Sequence, residues 1–356
     1  MTVFTAPSFD DHEKVVFAAD RASGLRAIIA VHDTRLGAAV GGCRMFPYGS
    51  DDEALDDVLR LSRGMTYKSA LAGLPLGGGK SVIIGDPAQD KTPALWRAMA
   101  EFIESLGGRY VAAEDSGTAV ADLRAMSQHT SFVSGFAATE HGGDPSPSTA
   151  LGVYVAIRRA LAHRLGASDL QGVRVAVQGL GHVGYALAEL LVKAGARVLA
   201  SDINGANIAR AESELGVTAV AADDILFADV DVVAPCALGG ALNVDSIAKL
   251  RAGIVAGAAN NQLRDRADGA RLADRGILYC PDFLINAGGI IDVHYQRSGL
   301  DRSALPSHIE SIGDRLGEVL ERADQCHQPT VDIAETLAEE LLDCVNPRGE
   351  GLLNVA

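Results

Sequence analysis

The chain is poor in several things, and each shortage removes a class of function. No uninterrupted apolar run approaches the about 18 residues a membrane-spanning helix needs, so no membrane span is expected. Basic residues are outnumbered, 31 Lys and Arg against 46 Asp and Glu, and a net charge of −15 leaves no clustered positive surface for nucleic acid. The five cysteines, Cys43, Cys236, Cys280, Cys326 and Cys344, are odd in number and never spaced C-x-x-C, which indicates neither a disulfide framework nor a zinc site. Nine histidines include no H-E-x-x-H or paired-ligand spacing, so no metal is expected, and most read as surface or ordinary structural histidines. Residues 1–7 place no basic residue ahead of an apolar core and do not read as a secretory signal, which makes the cytoplasm the expected compartment.

What remains is a globular composition, 48% hydrophobic and 22% charged, over 356 residues, enough for two domains. One run stands at the centre of the first half. Between Met65 and Ser81 two lysines, Lys68 and Lys80, bracket a Gly/Pro turn, and the apolar run Val82-Ile83-Ile84 follows. Lys80 sits between Gly77-Gly78-Gly79 and that run, where loss of water would lower its pKa and make it a base near neutral pH. A phosphate loop is the rival reading, but G-x-x-x-x-G-K-[ST] ending at Gly79-Lys80-Ser81 requires glycine where this chain has Leu74. A glycine turn that points Lys80 to solvent is the plainer alternative, and the motif taken alone favours it.

In chain order, residues 14–20 and 25–32 flank a Ser-Gly turn and read as a β-hairpin. Gly41-Gly42 reads as a strand bulge, or as backbone N–H groups offered to an anion. An acidic start, spaced apolar residues and a closing glycine mark a helix over 51–64, and a second is expected over 93–106. A short strand then ends in Glu114-Asp115, placing Asp115 where ligand crevices of open α/β sheets form; a helix-capping aspartate is the alternative. The Gly/Pro/Ser-rich stretch over 140–150 reads as the crossing between domains.

Beyond it, Val173 to Gln178 is a strand, Gly179-Leu180-Gly181-His182-Val183-Gly184 a G-x-G-x-x-G turn, and the residues after it a helix. This is the dinucleotide fingerprint in its required setting, with Gly179 for the turn, Gly181 for pyrophosphate approach and Gly184 for helix packing. The next strand ends at Asp202, followed by Ile203. A carboxylate there binds the ribose hydroxyls and repels a 2′-phosphate, so NAD is favoured over NADP. Short β runs ending at Cys236-Ala237, at Ala258-Ala259-Asn260-Asn261 and at Asp282 follow the pattern of a doubly wound sheet presenting ligand-facing loops. Asn260 and Asn261 are candidate hydrogen-bond partners for cofactor or substrate, with turn asparagines as the alternative. Residues 286–293 open a helix, and 309–344 read as helical. The expectation is an α/β fold of two domains, an α/β substrate domain and a Rossmann doubly wound NAD-binding domain, with an interdomain cleft. The first spans 1–140 and serves substrate binding, catalysis and oligomerisation, with C-terminal helices from about 330 to 356 packing back on it; the second spans 141–330.

The paired lysines, Glu114-Asp115, Gly41-Gly42-Cys43-Arg44, Gly179-Leu180-Gly181, Ala234-Pro235-Cys236-Ala237 and Gly257-Ala258-Ala259-Asn260-Asn261 together resemble the amino acid dehydrogenases of the glutamate/leucine/phenylalanine/valine family, over nearly the whole length. The resemblance implies that Lys68 holds the substrate carboxylate with the Gly42 backbone, that Lys80 is the general base acting through water, and that Asp115 handles the amino group and its protons. It implies that Asn260 positions substrate and nicotinamide ribose and that Thr149 touches the nicotinamide amide. NAD contacts are expected at Gly179, Leu180, Gly181, His182, Val183, Gly184, Asp202, Ile203, Cys236, Ala237, Ala258 and Asn260. The side-chain pocket would be lined by Val40, Ala113, Ile290 and Val293, which offer no charge and favour leucine, valine or isoleucine. A phenylalanine- or tryptophan-type enzyme and a catalytically silent NAD-binding regulator are the alternatives. Cys43 departs from the threonine usual there. The implied partners are the L-amino acid, its 2-oxo acid and ammonia, and further copies of the chain, from a dimer up to an octamer.

Overall fold

A computed structural model of the protein describes residues 2–135, 144–166, 169–237 and 239–345. The chain divides into two compact units, one of Met1–Gly143, Gln296–Leu300 and Glu339–Ala356, the other of Asp144–Tyr295 and Asp301–Ala338.

The first unit is built on a five-stranded mixed sheet. Its strands are β1 (Lys14–Asp20), β2 (Leu25–Asp33), β3 (Ala39–Phe46), β4 (Gly77–Ile84) and β5 (Tyr110–Glu114), in the order β1-β2-β4-β3-β5. The hairpin β1-β2 turns at Gly24, whose φ of 79° favours glycine. β2 pairs antiparallel with β4, whereas β4, β3 and β5 run parallel. Helix α1 (Asp51–Leu71) covers one face and α2 (Pro93–Glu104) with α3 (Val120–Met126) the other. α1 starts where Ser50 accepts from the Glu53 N–H at 3.1 Å, with three acids in its first turn against the positive helix end. Ile28, Ala30 and Val82 meet Ala54, Leu55 and Val58 of α1, while Ile29, Val31, Cys43, Met45 and Ile83 meet Trp96, Met99 and Ile103 of α2. The period of two along the strands sorts side chains between these cores. Each fully buried Ile or Leu contributes about 1.5–3 kcal/mol.

α1 does not stop at Gly64, where the expected helix over 51–64 ends. A glycine inside a helix costs only about 1 kcal/mol, and burial of Thr66, Tyr67, Ala70 and Leu71 outweighs it. The correction matters because it puts Lys68 on the helix itself.

The second unit is a six-stranded, wholly parallel sheet of β6 (Arg174–Gln178), β7 (Arg197–Ser201), β8 (Thr218–Ala219), β9 (Val232–Pro235), β10 (Ile254–Val255) and β11 (Leu278–Tyr279). Its order, β11-β10-β9-β6-β7-β8, reverses direction between β6 and β9, the switch-point topology of dinucleotide-binding sheets. Helices α4 (Ser146–Leu165), α5 (His182–Lys193), α6 (Gly205–Leu215), α7 (Val244–Lys249), α8 (Ala267–Asp274), α9 (Asp282–Ile285), α10 (Gly288–Ser298), α11 (Leu305–Cys326) and α12 (Thr330–Asp343) complete the chain. The stretch expected to be helical over 309–344 is two helices, because His327 takes a left-handed φ of 54° and Pro329 follows.

The expected domain division needs one correction. Residues 330–338 group with the second unit, not the first: Thr330 donates to the Tyr279 carbonyl at 2.6 Å and Val331 enters the second unit's core. Glu339 and Asp343 group with the first, bonding to Tyr67 and to Arg35. Residues 346–356, and 140–143 of the expected crossing, lie outside the described residues. Among the described residues no helix is long and apolar enough to cross a membrane, and no three His, Cys, Asp or Glu side chains gather as a metal site would need.

Candidate active site

In the first unit the three glycines form the start of β4 rather than a turn, and each is there because something else occupies the place of a side chain. A Cβ at Gly78 would overlap the Thr66 backbone, and one at Gly79 would stand 2.7 Å from the Tyr110 ring. The bare strand lets α1 come down at Thr66, two residues before Lys68. His32 Nδ1, 2.8 Å from the Thr66 hydroxyl, ties the same point to β2. His32 and His12 are buried with ring centroids 4.8 Å apart, so these two are structural histidines and not surface ones. Burial, and then the neighbouring His12, lower the His32 pKa to about 4.

Alternation along the strands gathers the polar residues. On β3, Ala39, Cys43 and Met45 enter the core under α2, so Val40, Gly42 and Arg44 share the face toward α1. Lys80 of β4 lies on that face too, as do Ala113 of β5 and Asp115 just after it. Lys80 is only 5% exposed, and its ammonium touches Asp115 Oδ2. Burial first, then the charges of Arg44 and Lys68, push its pKa well down, while Asp57 and Cys43 oppose. Gly42 is glycine because a Cβ there would lie 2.5 Å from Asp115 Oδ2 and 2.6 Å from its Cβ. Tyr110 lies buried beneath and donates to the Gly41 carbonyl at 2.9 Å. Cys43 fills core space, and burial pushes its thiol up to about 11, so it stays neutral and faces away from the lysine.

Three residues joined to this cluster carry no role in the sequence reading. Arg44 donates to Asp57 at 2.9 Å and to Asp115 at 3.3 Å, and Tyr48 donates to Asp57 at 2.6 Å. Asp57 and Lys68 are eleven residues apart, three helical turns, so one face of α1 carries both. That spacing was visible once the helix was allowed to run past Gly64.

The second unit carries the fingerprint. Gly179 has a φ of 93°, and a Cβ there would meet Ala237 at 2.9 Å; Gly184 packs against the Gly179 carbonyl and Cys236. Gly181 caps the twelve-residue α5, and a Cβ on it would meet nothing within 4 Å. That leaves open space at a helix N-terminus, and His182, exposed, and Val183 begin the helix beside it. At the end of β7, Asp202 accepts from the Leu180 and Asn204 N–H groups at 2.7 Å each. Burial is the largest single influence and raises its pKa, but these bonds and those from Asn207 and Ile203 together outweigh it and hold the carboxyl below the ordinary range, so it is an anion. Ile203 beside it is 98% exposed. The turn, the open approach and an ionised carboxylate at the end of β7 are a set that fits a dinucleotide.

Cys236 and Ala237 follow β9, the partner of β6 across the switch point, and burial pushes the Cys236 thiol up to about 12. Asn260, exposed, accepts from Asn286 Nδ2 at 2.8 Å, and Asn286 also donates to Ala258 at 3.0 Å. Asn261, with a φ of 52°, is a turn residue whose N–H bonds to Asp282 at 2.7 Å. Thr149 lies in the first turn of α4, where the bare Gly288 and Gly289 let α10 approach Ser148 and Thr149. Asp292, buried, accepts from Ser148 at 2.6 Å and from Arg302 at 2.8 Å, securing that approach. Ile290 and Val293, three apart on α10, are half-buried on one face. Of the expected pocket residues, Val40 and Ala113 thus belong to one unit and Ile290 and Val293 to the other.

Two family models match the chain: "Glu/Leu/Phe/Val dehydrogenase, dimerisation domain" over residues 12–132, and "Glutamate/Leucine/Phenylalanine/Valine dehydrogenase" over 144–215 and 204–296. The chain belongs to this family of amino acid dehydrogenases. Among individual relatives, a leucine dehydrogenase from Geobacillus stearothermophilus is 47% identical over 345 residues, 96% of this chain and 94% of its own. A phenylalanine dehydrogenase from Bacillus thermotolerans is 45% identical over 336 residues, 93% of this chain and 88% of its own. A solved L-tryptophan dehydrogenase from Nostoc punctiforme is 41% identical with a TM-score of 0.80, covering 94% of this chain and 97% of that one.

Proposed function

We propose that the protein oxidatively deaminates a hydrophobic L-amino acid, leucine, valine or isoleucine by preference, to the 2-oxo acid and ammonia, reversibly and with NAD. The observation that carries the reading is a lysine buried against an aspartate with two further cations pressing on it. Such a lysine gives up its proton far more readily than one in water.

Lys68 holds the substrate carboxylate, helped by the Gly42 backbone, and Asp115 takes a proton from the ammonium so that the amine can lose hydride. NAD, which Gly179, Gly181, Gly184 and Asp202 of the second unit would hold, would supply the acceptor for the hydride of the α-carbon. Lys80 removes a proton from the water that adds to the resulting iminium, and Asp115 returns a proton to the departing nitrogen. Gly179, Gly181, Gly184 and the α5 N-terminus hold the pyrophosphate, with Leu180, His182 and Val183 alongside. Asp202 binds the adenosine ribose, with Ile203, Cys236, Ala237 and Ala258 bordering the dinucleotide. Asn260, oriented by Asn286, and Thr149 face the nicotinamide end.

Val40, Ala113, Ile290 and Val293 offer the substrate side chain only apolar surface, so a buried glutamate carboxylate would go unpaired. One methylene changes discrimination by only about 1–3 kcal/mol, so several aliphatic substrates turn over. The phenylalanine and tryptophan dehydrogenase relatives give the aromatic reading its support. The dimerisation-domain match and the exposed Phe17 on edge strand β1 support a homo-oligomer, a dimer or higher. The test is a panel of leucine, valine, isoleucine, phenylalanine, tryptophan and glutamate at fixed pH, followed by NADH absorbance. The reading expects kcat/KM to be greatest for a branched aliphatic and negligible for glutamate, and an aromatic optimum would move the assignment to the second reading.

A further inference from the structure

The two oxygens of Asp115 keep different company. Oδ2 takes the Lys80 ammonium, while Oδ1 accepts from the Ser116 N–H at 2.5 Å and from Arg44, through Nη2 at 3.3 Å and Nε at 3.4 Å. Arg44 is itself held. Its side chain is 19% exposed, its Nη1 donates to Asp57 Oδ2 at 2.9 Å, and the Tyr48 hydroxyl fixes that same oxygen at 2.6 Å. A chain of alternating charge therefore runs Asp57, Arg44, Asp115, Lys80, with members from α1, β3, the end of β5 and β4. Charges this sheltered are screened less than surface pairs, and a guanidinium fork fixes a carboxylate's orientation as well as its charge.

We propose that Arg44, anchored by Asp57 and Tyr48, is a positioning residue for the proton-transfer pair: it keeps Asp115 turned with Oδ2 on Lys80 and keeps a positive charge beside the ammonium. The inference rests on the reading of Lys80 as the base. The charged groups around Lys80 are Asp115, Arg44 of β3, and Lys68 and Asp57 of α1, with the Cys43 thiol of β3 on the other face of the sheet. Arg44 and Lys68 press its proton off, and Asp57 holds it on. Removing the charge of Arg44 and removing that of Asp57 must therefore move Lys80 in opposite directions, an effect that loss of packing alone does not produce.

The test compares Arg44→Gln, Asp57→Asn and Arg44→Lys with the parent in two measurements. One is the pH dependence of acetylation of Lys80 by acetic anhydride in the full chain without NAD, read by peptide mass spectrometry. The other is the pH dependence of kcat/KM for deamination. Arg44→Gln is expected to move the Lys80 midpoint up by about one pH unit, a roughly tenfold loss of neutral lysine below it, and Asp57→Asn to move it down. Arg44→Lys restores the midpoint but not kcat, because the charge returns without the fork. Midpoints that stay put, or move the same way in both charge-removing variants, overturn the proposal. Opposite labelling shifts with an unmoved activity profile would uphold the Arg44 coupling and remove Lys80 as base, separating the two readings. Circular dichroism confirms folding, and if Arg44→Gln does not fold, an Asp57→Asn midpoint that fails to fall overturns the proposal by itself.

Discussion

Gly78 and Gly79 in the first unit and Gly181 in the second do opposite work. In the first, Gly78 and Gly79 stand inside β4, and their missing side chains are replaced by the Thr66 backbone and the Tyr110 ring. In the second, Gly181 faces nothing within 4 Å. One kind of bareness lets protein approach protein so that lysines and acids converge. The other keeps room for a molecule that is not protein. The first unit is therefore a place where charge is brought together at the cost of tight packing, and the second a place where a helix end is left open.

The sharpest break between the units comes from Asp115→Asn, which keeps shape and removes a proton acceptor. Turnover is expected to fall about 10²–10⁴-fold, the usual range for a lost acid-base group, while NAD affinity measured by fluorescence titration stays unchanged. Acid comes next. His32 is neutral when folded, with a pKa near 4, and the unfolded chain takes up its proton near 6.5. Between those values the unfolded state binds more protons, so stability is whole above pH 6.5 and is lost as pH falls toward 4. The full loss is about 3 kcal/mol, of which about 2 kcal/mol is seen in urea unfolding compared at pH 7 and pH 5 with tryptophan fluorescence, since Trp96 reports the first unit. His32→Gln should flatten that pH dependence. The smallest pair addresses the glycines directly. Gly78→Ala should cost about 1–3 kcal/mol of stability through overpacking against Thr66, and lower Tm. Gly181→Ala should leave Tm alone but weaken NAD about tenfold, some 1.4 kcal/mol. A reversed pattern would mean that the two glycines have been assigned the wrong work.

The same contrast explains what could be read from the sequence. The second unit's site is local: strand, Gly179, Gly181, Gly184, helix and Asp202 follow within thirty residues, so turn chemistry and periodicity are enough to see it. The parallel sheet and its switch point followed from the same alternation of strands and helices. Lys68, Lys80 and Asp115 were visible as residue types in telling places. What joins them was not. Arg44 meets Asp115, and Asp57 and Tyr48 meet Arg44 and each other, only because β3, α1 and β5 converge in space, and such contacts leave no spacing in the chain. Gly64 misled for a physical reason, since its local cost is smaller than the packing gained by the helix beyond it. His327 misled in the other direction, because a left-handed residue other than glycine ends a helix without announcing it. The assignment of 330–338 depended on Val331 and Thr330, whose partners lie some fifty residues away or more.

The central claim is that Lys80 moves the protons, and Lys80→Ala tests it most directly. Turnover of leucine and NAD affinity are measured on the same preparation, with NADH absorbance for one and fluorescence titration for the other. The account predicts that deamination falls at least about 10²-fold while NAD binds as before. Deamination at the parent's rate would contradict it.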